Sequence, residues 1–115
     1  MPELTWLPAC ALAAGIKSGE VRATELVEAC LARIGALDGK LKAFVTVCAE
    51  KALAEAQLAD REREAGRFRG PLHGVPVAIK DNTLTAGIRT TFGSRVYESH
   101  VPDADDACVV KLRNA

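Results

Sequence analysis

The chain has 115 residues, room for one domain of ordinary size or for a part of something larger. Fifteen Lys and Arg offset fifteen Asp and Glu for a formal net charge of +0, which argues against a strongly basic surface that neutralises phosphates. An apolar share of 49% with 26% charged residues is globular rather than disordered, and with only 4% aromatics the core must come from alanine-rich helices that bury little area per residue.

Residues 3–15 place Leu4, Leu7, Ala11, Leu12 and Ala14 at mixed spacings of three and four, which predicts a first helix ending at Gly15. Pro2, Glu3, Pro8 and Lys17 interrupt this stretch, so no secretory signal is expected. No run approaches the ~18 uninterrupted apolar residues of a membrane span. After a turn at Lys17-Ser18-Gly19-Glu20, residues 22–37 carry the clearest helical pattern. Leu26, Val27, Cys30, Leu31 and Ile34 line one face, Glu25, Glu28 and Arg33 lie elsewhere, and Asp38-Gly39 is the expected stop.

Residues 43–48, Ala-Phe-Val-Thr-Val-Cys, form a short β-prone run. Residues 50–65 return to helix, with Ala52, Leu53, Ala56 and Ala59 inward. Asp60-Arg61-Glu62-Arg63-Glu64 points outward as a solvated end, and Gly66 serves as the C-terminal cap. The character then changes: Gly66, Gly70, Pro71, Gly74 and Pro76 mark a loop of the kind that often carries chemistry. Residues 75–79, Val-Pro-Val-Ala-Ile, are a continuous apolar run of strand length, expected to be buried on both faces of a parallel or mixed sheet with Pro76 at its start. Lys80, Asp81 and Asn82 follow directly. Residues 83–103 read as loop, and Asp103, Asp105 and Asp106 open a last helix bearing Cys108, Val109, Val110 and Leu112. Two strand-like runs alone would leave unpaired sheet edges, and the last helix has barely two turns before Ala115, so the chain is expected to be a fragment.

Cys10, Cys30, Cys48 and Cys108 form no Cys-x-x-Cys pair, and His73 and His100 are the only other soft ligands. No metal site is expected, and the thiols are read as small buried hydrophobes of a cytoplasmic protein. Phosphate loops, dinucleotide fingerprints, zinc-protease motifs and the Gly-x-Ser-x-Gly elbow are all absent. Ser94 after Gly93 is a turn residue, His73 a hydrogen-bonding loop residue and His100 a surface loop residue. Lys80 stands out by position: a lysine ending an apolar strand either reaches to solvent or is held at the rim of a site, and Asp81 is placed to pair with it.

Gly70-Pro71-Leu72-His73-Gly74-Val75-Pro76-Val77-Ala78-Ile79-Lys80-Asp81-Asn82 closely resembles the lysine motif of the amidase signature family. The likeness continues through Gly87-Ile88-Arg89-Thr90-Thr91-Phe92-Gly93-Ser94 and Val101-Pro102-Asp103-Ala104-Asp105-Asp106-Ala107. Upstream, Gly19-Glu20-Val21, Glu25-Leu26-Val27-Glu28-Ala29 and Leu31-Ala32-Arg33-Ile34 resemble the family's N-terminal helix.

The resemblance implies an α/β fold, with residues 1–66 a helical segment and residues 67–115 the first strands of the mixed-sheet amidase core. It also implies hydrolysis of a carboxamide to a carboxylate and ammonia or an amine through a Ser–cis-Ser–Lys triad. Lys80 matches the family's base, and Asp81 and Asn82 would brace the structure around it. A serine hydroxyl attacks only when a base takes its proton, and an amine does so only when neutral, a form that desolvation and nearby positive charge favour. The family's glycine- and serine-rich segment, which bears both serines, lies downstream of the matched region, and Ser94 matches neither serine. The 115 residues alone are therefore expected to be inactive.

No cofactor is implied. The expected partner is a small-molecule amide; direct nucleic-acid or membrane contact is not expected, and a homo-oligomer is left open. Two alternatives accompany this reading: the amidase subunit of a tRNA-dependent amidotransferase, which would need partner subunits and aminoacyl-tRNA, and a non-catalytic truncated binding module.

Overall fold

The computed structural model describes residues 3–115. A 3-10 turn, Leu4–Trp6, precedes α1 (Ala9–Ser18), α2 (Ala23–Leu41) and α3 (Ala49–Glu64); a second 3-10 turn, Arg95–Tyr97, precedes α4 (Ala107–Arg113). The described residues fall into two compact units that divide between Pro76 and Val77. Among them no helix is long and apolar enough to cross a membrane.

In the first unit the three helices close around Leu12 and Ile16 of α1, Ala23, Leu26 and Val27 of α2, and Ala56 and Ala59 of α3. Cys30, Leu31, Ala52 and Leu53, also expected inward, pack around this centre half-buried. The core is narrow because alanine supplies much of it, so each larger side chain matters: Ile16 is 0% and Leu26 1% exposed.

The first predicted helix is split and shifted. Pro8 has no N–H to continue a helix from the 3-10 turn, so it becomes the N-cap of α1, with its carbonyl accepting from Ala11 and Leu12 N–H. The helix runs past Gly15 to Ser18 and ends at Gly19, whose φ of 84° is the left-handed conformation glycine adopts without strain. Gly15 stays inside the helix because the Val21 side chain lies against it: a Cβ there would sit 3.1 Å from Val21 Cγ2.

Asp38-Gly39 does not stop α2. The helix continues to Leu41 and closes on Lys42 at φ 53°, while the Asp38 carboxylate reaches beyond the end to accept Ala43 N–H at 2.7 Å and Phe44 N–H at 3.1 Å. By serving the N–H groups after the helix, Asp38 allows one more turn without orphaned donors. The end of α3 follows expectation more closely: Gly66 N–H bonds Arg63 O and Arg67 N–H bonds Glu62 O, the paired bonds of a Schellman cap.

Asp60 overturns the outward reading of the charged run. It is 1% exposed and accepts Ala23 N–H at 2.7 Å, Thr24 N–H at 3.1 Å and the Thr24 hydroxyl. The N-cap of α2 is Arg22, which has no side-chain acceptor, so α3 supplies the carboxylate that a capping Ser or Asp would have provided. Burial pushes the Asp60 carboxyl up, but the Thr24 hydroxyl, the Thr24 and Ala23 N–H groups and Arg22 outweigh it and hold it below the usual value.

Two further expectations fail. Neither residues 43–48 nor residues 75–79 form a strand, and no strand occurs among the described residues. A β-run is stabilised by a partner's ladder, and neither run finds one here. Val77, expected to be buried on both faces of a sheet, is 49% exposed, and Val45 and Val47 of the other run are 52% and 46% exposed. Nor are the thiols buried: Cys10, Cys48 and Cys108 are exposed and Cys30 is half-buried. The first three occupy helix positions or helix borders turned away from the core, where small size, not burial, suits them.

In the second unit little is helical. Its buried residues are Thr85, Thr90, Thr91, Pro102 and Val109, and hydrogen bonds between separated loop segments set its course. Gly87 N–H bonds Pro102 O, Thr90 N–H bonds His100 O, and Asp106 N–H bonds Leu84 O. The carboxylates that were expected to open α4 are used differently. Asp106 Oδ2 accepts Leu84 N–H and Asp105 Oδ1 accepts Ala86 N–H, each at 2.7 Å, while Asp105 Oδ2 also takes Arg113 Nε at 2.9 Å. They tie the 83–86 segment to the start of the helix.

Candidate active site

Lys80 ends the irregular segment that follows Pro76 and is exposed. Its carbonyl accepts Thr83 N–H at 3.0 Å, which closes a turn over Asp81 and Asn82. The expected Lys80–Asp81 ion pair does not form; both carboxylate oxygens of Asp81 are directed to Thr91 instead. Oδ1 accepts Thr91 N–H at 2.8 Å and Oδ2 accepts the Thr91 hydroxyl. The Asp81 carbonyl takes Phe92 N–H at 2.8 Å. The Thr91 hydroxyl and N–H hold the Asp81 carboxyl below its usual value, aided by Gly93 N–H and Arg89 against a smaller opposing effect of desolvation. Asn82 is exposed, and its Oδ1 accepts the Thr83 hydroxyl at 3.3 Å.

Beyond this turn, Phe92 has a φ of 54° and Gly93 a φ of 67°. A bulky residue in the left-handed region is uncommon and persists where its surroundings fix it. Here Phe92 is tied through its N–H, and its ring meets Tyr97 edge-on at 5.2 Å and His100 at 6.0 Å. His100 is more than a surface residue: its Nδ1 lies 3.0 Å from Thr90 O and its ring contacts Tyr97 at 5.8 Å. Ser94 behaves as the turn residue expected, accepting Val96 N–H at 3.3 Å.

His73 belongs to the first unit and is 5% exposed. Its Nδ1 accepts Arg69 N–H at 3.2 Å, so Nε2 carries the proton donated to Ala59 O at 2.8 Å. Both ring nitrogens are occupied by this structural duty. A cleft of about 360 Å³ in the same unit is lined by Arg22, Glu25, Glu28, Gln57 and Arg61 around Asp60. Charges of both signs line it, and none of the candidate residues does. No cluster of three or more metal-ligating side chains occurs among the described residues.

Sequence reading does not single out Thr91 as a partner of Asp81. The two are ten residues apart across irregular chain, and no helical or strand period links them. The one local hint is the Thr90-Thr91 pair ahead of a glycine-serine turn.

The amidase family model matches residues 25–115. The chain is 49% identical over 102 residues to a glutamyl-tRNA(Gln) amidotransferase subunit of Anaeromyxobacter dehalogenans, covering 89% of this chain and 21% of that protein. It is 45% identical over 115 residues to the corresponding protein of Streptomyces coelicolor, covering 100% and 23%. Among solved structures, native peptide amidase from Stenotrophomonas maltophilia superposes with a TM-score of 0.89 at 40% identity, covering 95% of this chain and 23% of the amidase. The chain thus spans between a fifth and a quarter of the length of these relatives. With a family match across most of its length, the chain belongs to the amidase signature family.

Proposed function

We propose that this chain is the N-terminal part of a hydrolase that cleaves a carboxamide to a carboxylate and ammonia or an amine, with Lys80 as the base of a Ser–cis-Ser–Lys triad. The observation that carries the reading is the match of the family through Lys80 and its flanking residues, together with 40% identity to a peptide amidase of the same local fold. Residues 1–66 form the helical segment of one amidase domain and residues 67–115 begin its mixed-sheet core. The half-exposed Val45, Val47 and Val77 support that pairing, since they offer apolar β-prone surface for neighbouring strands.

The chemistry requires that Lys80, exposed here, be enclosed by the rest of the hydrolase, because desolvation favours the neutral amine that can take a proton from serine. Asp81 and Asn82 brace the turn that follows it. The 115 residues alone contribute the base without the nucleophile and release no ammonia.

The test is hydrolysis by the protein of the complete reading frame, followed as ammonia released from glutamine and from C-terminally amidated peptides. Lys80→Ala lowers kcat/KM by about 10⁴-fold, the scale of losing a member of a catalytic triad. Turnover within tenfold of the parent overturns the role of Lys80.

A second reading is the glutamine-hydrolysing component of a tRNA-dependent amidotransferase. It is favoured by the 45–49% identity to curated amidotransferase subunits, higher than the 40% to the peptide amidase. In that case partner subunits and aminoacyl-tRNA stimulate glutamine hydrolysis, whereas a stand-alone amidase is indifferent to them.

A further inference from the structure

The residue after Lys80 is held by three hydrogen bonds from one short segment. Thr91 gives Asp81 both its N–H and its hydroxyl, and Phe92 gives its N–H to the Asp81 carbonyl. The Thr91 hydroxyl is also an acceptor, taking Gly93 N–H at 3.2 Å. One buried hydroxyl, on a residue 4% exposed, thus connects Asp81 to the left-handed Phe92-Gly93 pair.

Asp81 forms no ion pair with Lys80 in this structure; its carboxylate is directed to Thr91 instead. What remains is the main chain. On its C-terminal side the Lys80 backbone is tied by the Thr83 turn and by the Thr91 clamp, which help set the direction in which its side chain leaves the chain whether or not residues 75–79 gain strand partners in the whole hydrolase. A shift of about 1 Å at a reacting group can cost 10²-fold in rate. A clamp one residue away is therefore in a position to govern turnover without touching substrate.

We propose that Thr91 is a positioning residue for Lys80, acting through Asp81 and the 80–81 peptide. This rests on the reading of Lys80 as the base, and it adds a residue to which no catalytic duty has been given. Thr91 contributes no proton and meets no substrate; its hydroxyl keeps Asp81, and with it the base, in register.

The test uses the protein of the complete reading frame and compares Thr91→Val, Thr91→Ser, Asp81→Ala, Lys80→Ala and the Lys80→Ala/Thr91→Val pair. Valine preserves the shape and the main-chain N–H but removes the hydroxyl. Thr91→Val is expected to lower kcat by about 10- to 100-fold, the range seen when groups that orient a catalytic residue are lost, while KM stays within twofold. Thr91→Ser restores kcat to within threefold of the parent. In the Lys80→Ala background, Thr91→Val has no further effect on the residual rate, since no base remains to be positioned.

A kcat within twofold of the parent for Thr91→Val overturns the proposal. So does a loss that serine fails to rescue, or a further loss in the absence of Lys80, either of which marks a role in folding alone. Should Thr91→Val not fold, Asp81→Ala decides: it removes the acceptor of both the Thr91 N–H and the Thr91 hydroxyl, so kcat falls if the proposal holds and is unchanged if it does not. Normal turnover by Lys80→Ala removes the underlying reading instead, an outcome distinct from an active Thr91→Val beside an inactive Lys80→Ala.

Discussion

Asp60 in the first unit and Asp81 in the second make nearly the same set of bonds: each takes both the main-chain N–H and the hydroxyl of a single threonine, Thr24 and Thr91 respectively. Their surroundings differ. Asp60 is 1% exposed beside a core of Leu12, Ile16, Leu26 and Val27, and it reaches 36 residues back along the chain to close the start of a 19-residue helix. Asp81 is half-buried, spans ten residues, and lies where the buried side chains are mostly threonines. The same carboxylate–threonine bond completes an apolar helical core in one place. In the other it substitutes for one, giving shape to chain that has little hydrophobic area to bury.

Removing each carboxylate sharpens that contrast. Asp60→Ala removes the acceptor of two helix N–H groups and a hydroxyl together with the partner of Arg22, which is expected to cost about 3 kcal/mol. Asp81→Ala removes the acceptor of two donors rather than three, from a carboxylate that is half-buried, and is expected to cost about 1 kcal/mol. Urea unfolding followed by helical ellipticity for Asp60, and by Tyr97 fluorescence for Asp81, measures the two. Equal losses would break the comparison, since burial would then have no bearing on the strength of the clamp.

A smaller effect comes from acid. Both carboxyls are held below their usual value in the folded chain, so folding favours their ionised form. The stability they add is present above the unfolded carboxyl pKa of about 3.9 and is lost as pH falls through the lower folded values. As pH falls below about 4 the parent chain is expected to lose more stability than Asp60→Asn, which has no proton to take up at this position. Parallel urea midpoints across that range would show that the Asp60 carboxylate carries none of the acid sensitivity.

The helices are legible in the sequence because their instructions are local. Leu26, Val27, Cys30 and Leu31 recur on one face of α2, and Gly66 ends α3 with a conformation few other residues adopt cheaply. Asp60 misleads for the opposite reason. The four residues that follow it are all charged, which locally describes a solvated face, whereas its partners are on another helix. Asp38-Gly39 misleads in a related way, since a stop pattern does not say that the carboxylate can serve N–H groups beyond the end of the helix. The apolar runs at 43–48 and 75–79 state a propensity, but a strand also needs a neighbour, and that is a property of the whole sheet. At the candidate site, the sequence displays Lys80 through its flanking motif and hides Thr91, whose link to Asp81 depends on how a loop returns.

The half-buried thiol of Cys30 has a consequence of its own. Burial raises its pKa against the opposing effect of Arg33, whereas Cys10, Cys48 and Cys108 stand exposed. A thiol reagent is thus expected to modify three sulfurs first and the half-buried fourth more slowly. The slow phase of alkylation then reports on the surroundings of α2 at Cys30 without changing a residue.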